Sequence, residues 1–342
     1  MSFNSALANS IKRKPWLANI VKRVYKSRTL NNWPPFQKWI LARCAVLDAR
    51  MHSTPQSVTL ETVLTCNAKC KMCAHSENRM TGEMSMELFE KLCDGIKNMG
   101  LDHVALSIYG EPFVDKHWMD RIRYVRRRNL TYDFFTNGSL LRQEQLEEMF
   151  ALGGWKYVNF SINGFTSQVY EQLMPPLKRD VVYENVEMFL KRKLLLGNGY
   201  PTTSITCVQT KENFHERNDI LKYWKSKDGV NFVVFADCSD WLSEVENISA
   251  ENRNKYLTMN TWLPPCRSIW ENIYVYYDGR VAPCCMDPVG RNLIIGNANR
   301  ETLSEIFMGD PLVKLRTMHK NNSRFNHSVC GRCRVASQWL MN

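Results

Sequence analysis

The sequence lacks any long hydrophobic run. None of its 342 residues belongs to a stretch that reaches the ~18 apolar residues of a membrane-spanning helix. The N-terminus also lacks the apolar segment of a secretory signal peptide. We therefore expect a protein that is neither embedded in a membrane nor secreted.

Acidic residues are nearly absent from the first fifty positions. This segment has ten Lys and Arg residues and one acid, Asp48, so it supplies +9 of the net charge of +11. The nearly neutral remainder argues against a nucleic-acid partner. Apolar residues at helical spacing predict a basic amphipathic helix in this arm: Trp16, Leu17, Ile20, Val21 and Val24. Packing on a barrel, peripheral contact with the inner membrane face and binding of an acidic partner all remain open.

Disulfides are not expected, although the chain has twelve cysteines. Clustered cysteines without a secretion signal indicate metal or redox chemistry in a reducing compartment. We therefore expect a cytoplasmic protein.

Three cysteines, Cys66, Cys70 and Cys73, form a C-x3-C-x2-C run directly after an apolar alternating stretch. Three thiolates on one loop can hold three irons of a [4Fe–4S] cluster, whereas zinc sites and ferredoxin clusters normally take four protein ligands. The fourth iron would stay open and could bind and activate a ligand. A zinc knuckle completed by His75, or free thiols, is the alternative.

Short β-rich runs alternate with helical stretches between residues 57 and 240. The predicted strands are Ser57–Leu64, His103–Gly110, Thr131–Asn137, Tyr157–Asn163, Thr202–Thr210 and Asn231–Cys238. Six β–α units predict an α/β fold with a parallel sheet, and six are too few to close an eight-stranded barrel. We expect a partial (β/α)6 TIM-like barrel with the cysteine loop at the carboxyl end of its first strand.

A second group of cysteines lies in a small C-terminal β-hairpin/helix domain. Tyr274–Val281 predicts a hairpin with an Asp-Gly turn. The candidate ligands are Cys266, Cys284, Cys330 and Cys333. Four thiolates suit zinc or a fully ligated iron–sulfur cluster. The adjacent Cys285 is a spare ligand, a candidate catalytic hydrogen-atom donor or a buried thiol. The predicted organisation is an arm over 1–56, a barrel over 57–240, a connector over 241–261 and the cluster-binding domain over 262–342.

Residues 57 to about 335 resemble the radical S-adenosylmethionine (radical SAM) enzymes, in which the open iron is chelated by S-adenosylmethionine. The resemblance rests on the cysteine loop and on the run Gly110-Glu111-Pro112. It implies that the cofactor lies against residues at the ends of the second to fifth strands: Tyr109, Gly110, Glu111, Thr136, Asn137, Ser161, Asn163 and Gln209. Cys-x12-Gly-x4-Cys followed by Cys-x2-Cys resembles the SPASM/Twitch extension, with enough cysteines for one auxiliary [4Fe–4S] cluster.

The resemblance implies an oxidoreductase-type enzyme that draws electrons from a flavodoxin- or ferredoxin-type reductant. S-adenosylmethionine would be cleaved reductively, and a 5′-deoxyadenosyl radical would abstract hydrogen from a substrate. We expect a small molecule (a sugar, aminocyclitol or lipid precursor) and net oxidation or rearrangement, because an auxiliary cluster can accept an electron and no peptide-recognition domain is predicted. Peptide modification in the maturation of a ribosomal peptide is one alternative. A non-catalytic iron–sulfur electron-transfer protein is another.

Overall fold

The computed structural model describes residues 33–39, 41–42, 54–78, 80–197, 199–238, 265–287, 290 and 292–333. The predicted N-terminal amphipathic helix and the connector 241–261 lie outside these residues. Among the described residues, no helix has the length and apolar character needed to cross a membrane.

The described chain alternates strands and helices. The strands are β1 (Ser57–Leu60), β2 (His103–Ala105), β3 (Thr131–Thr136), β4 (Trp155–Ser161), β5 (Thr202–Gln209), β6 (Phe232–Asp237), β7 (Asn272–Val275), β8 (Arg280–Ala282) and β9 (Gly296–Asn297). The helices are α1 (Ala74–Asn78), α2 (Met86–Asn98), α3 (Trp118–Arg127), α4 (Gln143–Leu152), α5 (Ser167–Leu173), α6 (Arg179–Leu196), α7 (Arg217–Lys225), α8 (Ser268–Glu271), α9 (Leu303–Met308) and α10 (Asp310–Lys320).

The strands of the described residues form one sheet in the order β6-β5-β4-β3-β2-β1-β7-β8-β9. Strands β1 to β6 are parallel, and each pairs with its neighbour in sequence. The order is linear and the sheet does not close, which confirms the predicted partial barrel. Because the strands are parallel, their carboxyl ends meet at one edge.

Alternation along the strands creates two faces. One face packs against the helices in the main core and includes Val58, Leu60, Phe134, Val158 and Phe160. Burial of each such side chain contributes roughly 1.5–3 kcal/mol to the free energy of folding. The residues between them point to the opposite, concave face. We call this the inner face and define it by Thr59, Asp133, Phe135, Tyr157, Asn159, Ser161, Thr206 and Val234.

Helix α2 shows how local sequence sets an element. The Ser85 side chain accepts the backbone N–H of Leu88 at 3.1 Å and caps the helix. Leu88, Leu92 and Ile96 recur at i, i+4 and are all buried. The helix ends at Asn98, Met99 is its C-cap, and Gly100 follows with φ +78°. The sequence predicts a helix with Ser85 as its N-cap that runs to Met99 before Gly100, so the observed bounds agree to within about one residue.

The C-terminal hairpin differs from expectation in its place in the fold. β7 and β8 pair antiparallel as predicted, with Gly279 at φ +88° in the turn. However, β7 also pairs parallel with β1 over its whole length, from Ser57 opposite Asn272 to Leu60 opposite Val275. The hairpin therefore extends the barrel sheet and satisfies the backbone groups that an edge strand would expose.

The first two strands are shorter than the sequence predicts. β1 ends at Leu60 and β2 ends at Ala105, because their continuations leave the ladder to form the loops at the carboxyl edge. The helical spacing of apolar residues predicts a helix over Phe214–Trp224. This segment begins instead as a 3₁₀ turn, Phe214–Glu216, before α7.

Candidate active site

The three-cysteine loop is held at the carboxyl edge by its backbone. The carbonyl of Thr65 accepts the N–H of Glu111 at 3.1 Å, so the loop is tied to the segment after β2. The N–H groups of Lys69 and Lys71 donate to the carbonyls of Pro175 and Leu173, at 2.6 and 3.0 Å, beside α5. The predicted position of the loop is therefore observed.

The three cysteines of the loop lie close enough for their charges to interact. Burial raises the pKa of the Cys66 thiol to about 12. Burial also raises the pKa of Cys70 well above its usual value, and repulsion from Cys73 and Cys66 adds to it. The pKa of Cys73 is raised by burial, against donation from the N–H groups of His75 and Ser76. Three half-buried thiolates on one loop repel one another, and bound iron would offset that repulsion.

The donor set fits an iron–sulfur cluster. Among the described residues, no group of three or more His, Cys, Asp or Glu side chains is arranged to hold a metal ion. The loop nevertheless offers three soft donors on one short segment, which is the chemistry that iron–sulfur ligation requires. His75, the alternative zinc ligand, is buried beside the loop with its Nδ1 lacking a hydrogen-bond partner in the described chain.

Glu111 joins the loop after β2 to the end of β3. Its carboxylate accepts the Thr136 hydroxyl at 2.6 Å and the Asn137 N–H at 2.7 Å. Burial raises the pKa of Glu111 to about 7, and these donors oppose the rise. Gly110 precedes it where a Cβ would lie 1.9 Å from the carbonyl oxygen of Val63. The predicted residues Gly110, Glu111, Thr136 and Asn137 thus converge at the cysteine loop.

Asn67, which the sequence prediction missed, links the same elements from within the loop. Its Oδ1 accepts Asn137 Nδ2 at 2.9 Å, and its Nδ2 donates to Ser139 Oγ at 2.9 Å. Its position directly after Cys66 was the available indication, since Asn commonly bonds neighbouring backbone and loop groups.

Asn163 lies beneath the loop, where its side chain is already engaged. Its Oδ1 accepts the N–H of Val208 at 2.8 Å. Its Nδ2 faces the sulfur atoms of Met174 and Met72 at 3.3 and 3.9 Å. The structure therefore places Asn163 as a support for Met72, the residue before Cys73, and its contact with a cofactor stays a prediction.

The remaining predicted cofactor residues are more dispersed. Ser161 is half-buried on the inner face, opposite Thr206. Gln209 ends β5, and its Oε1 accepts Arg217 Nη1. The Tyr109 hydroxyl donates to the carbonyls of Cys285 and Asp287, the second at 3.1 Å. Tyr109 therefore directs its side chain to the C-terminal cysteines, and only its backbone lies beside the Gly-Glu-Pro turn.

The C-terminal cysteines converge. The pKa of Cys284 is raised well above its usual value by burial, then by repulsion from Cys266 and Cys285. Burial raises the pKa of Cys330 to about 12, and Cys266 and Cys333 add to the rise. Charge interactions therefore link the four predicted ligands, which lie on three segments of the chain, and their donor chemistry fits an iron–sulfur cluster.

Cys285 also interacts with the C-terminal cysteines. Burial raises its pKa, the Tyr274 hydroxyl bonds its sulfur, and Cys333 repels its thiolate. Its predicted role as a hydrogen-atom donor stays a prediction.

A partial parallel barrel with a three-cysteine loop at its carboxyl edge and a second cysteine group beside it defines an iron–sulfur enzyme of the radical type. The Radical SAM superfamily profile matches residues 60–223, and the SPASM iron–sulfur cluster-binding domain profile matches residues 266–334. The chain belongs to the radical SAM superfamily and carries a SPASM-type auxiliary domain.

Two relatives of this chain have names that describe different activities. The chain is 29% identical over 167 residues to a tungsten-containing aldehyde ferredoxin oxidoreductase cofactor-modifying protein of Pyrococcus furiosus, covering 48% of this chain and 46% of that protein. It is 23% identical over 283 residues to an S-adenosyl-L-methionine-dependent 2-deoxy-scyllo-inosamine dehydrogenase of Niallia circulans, covering 80% and 90%. The chain therefore spans less than half of the first of these relatives.

Solved structures share the fold. SuiB of Streptococcus suis bound to the precursor peptide SuiA aligns with a TM-score of 0.64 at 16% identity, over 86% of this chain and 75% of that one. BtrN in complex with AdoMet and 2-DOIA aligns with a TM-score of 0.55 at 18% identity, over 82% and 94%.

Membership in this superfamily implies an enzyme with a [4Fe–4S] cluster and S-adenosylmethionine, and the SPASM domain implies auxiliary iron–sulfur ligation. The expected enzyme class is confirmed, and the non-catalytic carrier is set aside.

Proposed function

We propose that this enzyme oxidises a small polar molecule, such as a sugar or aminocyclitol, bound on the inner face. The observation that supports it is the polar lining of that face below the cysteine loop. Asn159 accepts the Thr206 hydroxyl at 2.5 Å, and toward the amino end of the same face the Asp133 carboxylate accepts a hydrogen bond from His103 Nε2 at 2.9 Å. The side chains of His103 and Asp133 remain 33% and 24% exposed. Such groups suit the hydroxyl and amino groups of a polar substrate.

The proposed cofactor site assigns Cys66, Cys70 and Cys73 to the cluster and the residues around Glu111 to S-adenosylmethionine. A reduced cluster with S-adenosylmethionine bound at this site would supply a 5′-deoxyadenosyl radical. Oxidation of an alcohol would then transfer one hydrogen atom from carbon to that radical and release the hydroxyl proton to solvent, and a cluster held by Cys266, Cys284, Cys330 and Cys333 would accept the remaining electron. The inner face binds and orients the substrate between the two cysteine groups, and Tyr274 lies where that face meets Cys285.

The similarity to the inosamine dehydrogenase supports this proposal, because it covers 80% of this chain and 90% of that protein. The name of that relative describes a dehydrogenase that acts on 2-deoxy-scyllo-inosamine. We also propose a flavodoxin- or ferredoxin-type reductant.

Peptide modification is a second candidate, favoured by exposed apolar residues of the same sheet. Phe135, Val234 and Phe232 are 51%, 44% and 56% exposed on that side, and could receive an apolar side chain of a peptide. The chain is also 29% identical over 118 residues to the subtilosin biosynthesis protein AlbA of Bacillus subtilis.

Deuterium transfer distinguishes the two candidates. Source cells are grown in heavy water and their extract is separated by size. Each fraction is incubated anaerobically with reconstituted enzyme, S-adenosylmethionine and reductant, and 5′-deoxyadenosine is analysed by mass spectrometry. Label from the small-metabolite fraction supports the proposal. Label from the peptide fraction alone contradicts it and favours the second candidate.

The controls use two cysteine variants. Cys70→Ala removes a proposed cluster ligand and should give no 5′-deoxyadenosine. Cys93→Ala removes a buried thiol of α2, which lies outside both cysteine groups, and should give labelled product like the wild type.

A further inference from the structure

A buried arginine spans the C-terminal cysteine turn. Arg324 begins the 3₁₀ turn Arg324–Asn326 and is only 4% exposed. Its Nη2 donates to the carbonyl of Cys330 at 3.3 Å and to that of Cys333 at 3.2 Å, and its Nε approaches the Cys330 carbonyl at 3.4 Å. One guanidinium therefore bridges the backbone of both cysteines in the Cys-x2-Cys pair.

The charge of Arg324 also reaches cysteines from two segments. Burial raises the pKa of Cys266, and the largest opposing influence is the Arg324 charge. The same charge opposes the effect of burial on Cys330. The guanidinium therefore acts on a thiol of the segment before α8 and on one of the C-terminal turn.

The neighbouring histidine carries no competing charge. His319 Nδ1 accepts the N–H of Cys266 at 3.1 Å, so this nitrogen carries no proton and the ring is neutral in this arrangement. Arg324 therefore supplies the positive charge that bonds the backbone of the Cys-x2-Cys pair.

We propose that Arg324 is a positioning residue that raises the reduction potential of the auxiliary cluster. A fixed positive charge in a buried site stabilises the added electron of a reduced cluster, and the screening there is weak. The enzyme thereby makes the auxiliary site a better electron acceptor. This inference rests on the proposed ligands Cys266, Cys284, Cys330 and Cys333, and it holds for either candidate substrate.

A purely structural role would have a different outcome. Arg324→Lys keeps the charge but cannot span two carbonyls with a planar fork. Arg324→Gln keeps an amide donor and loses the charge. A charge effect predicts that the glutamine variant differs from the lysine variant. A structural effect predicts that the two variants lose cluster to a similar degree and that the remaining cluster has an unchanged potential.

The test is an anaerobic redox titration followed by electron paramagnetic resonance. It uses the full chain with Cys66, Cys70 and Cys73 replaced by Ala, so that only the auxiliary cluster contributes. Arg324→Gln should shift the reduction equilibrium at least tenfold toward the oxidised cluster, which is about 59 mV for one electron. Arg324→Lys should keep a midpoint close to that of the parent.

Arg316→Gln is the matched control. Arg316 is a buried arginine of the same region, and its Nε donates to the carbonyl of Ile269 at 2.9 Å while its guanidinium lies over the Phe307 ring. It should change the midpoint much less than Arg324→Gln does, because its Nε bonds the carbonyl of Ile269 and not that of a candidate ligand. Equal midpoints in Arg324→Gln and the parent would overturn the inference. Iron and sulfide analysis separates this from failure of the ligand set, since a parent without any cluster would refute both.

Discussion

Replacing Gly110 with alanine should disable the site without unfolding the protein. The new Cβ would lie 1.9 Å from the carbonyl oxygen of Val63, about 1.5 Å short of ordinary van der Waals contact. Val63 and Leu64 lead into Cys66, so neither backbone can move without shifting the cysteine loop or Glu111. Overpacking of this kind costs roughly 1–3 kcal/mol of stability. A misplacement of about 1 Å at a reacting centre costs on the order of 100-fold in rate.

The assay is anaerobic formation of 5′-deoxyadenosine by the reconstituted variant, with iron content and thermal unfolding measured on the same sample. We expect about a 100-fold loss of rate with the cluster still present. Gly95→Ala is the control, because its Cβ meets no atom within 4 Å on α2, and removing a helix glycine stabilises by roughly 0.5–1 kcal/mol. A Gly110→Ala enzyme within about threefold of the wild-type rate, a change under 1 kcal/mol, would refute the reasoning.

Two further predictions concern buried charge. Burial raises the pKa of Glu61 to about 8 from an ordinary value near 4.5, so the folded state holds a proton that the unfolded state has released between these pH values. Stability should therefore fall as pH rises through this window, by up to about 1.4 kcal/mol per pH unit. Urea unfolding of Glu61→Gln should show a flatter profile from pH 5 to 8, and a profile parallel to the wild type would contradict this. Arg121→Met should lower the free energy of unfolding by roughly 3–5 kcal/mol. The substitution leaves the fully buried Asp115 carboxylate, which Arg121 contacts at 2.7 Å, without its charged partner. Arg123→Met, which breaks an exposed pair with Glu148, should cost under about 1 kcal/mol in the same unfolding assay, and equal losses would refute the distinction.

The parts of the fold that sequence predicted are those set by local chemistry. Alternating apolar residues placed β3 to β5 close to their observed bounds, and Ser85 and Gly100 marked the ends of α2. The Asp-Gly pair before Arg280 predicted the β7–β8 hairpin.

Pairing between distant segments was not predictable. The parallel ladder of β1 with β7 joins residues about 215 positions apart, and neither strand contains a pattern that selects the other. For the same reason, Tyr109 was expected beside the cofactor, whereas its hydroxyl contacts the backbone of Cys285. Arg324 lies in a polar run whose composition indicates exposure, and only the packed structure shows its burial.

The central claim is that the Cys66, Cys70 and Cys73 loop is the site where S-adenosylmethionine is cleaved. The most direct measurement compares 5′-deoxyadenosine formation by wild type, Cys70→Ala and Cys93→Ala after identical anaerobic reconstitution with a chemical reductant. The account predicts product from the wild type and from Cys93→Ala, and none above background from Cys70→Ala. Unchanged product from Cys70→Ala would contradict it.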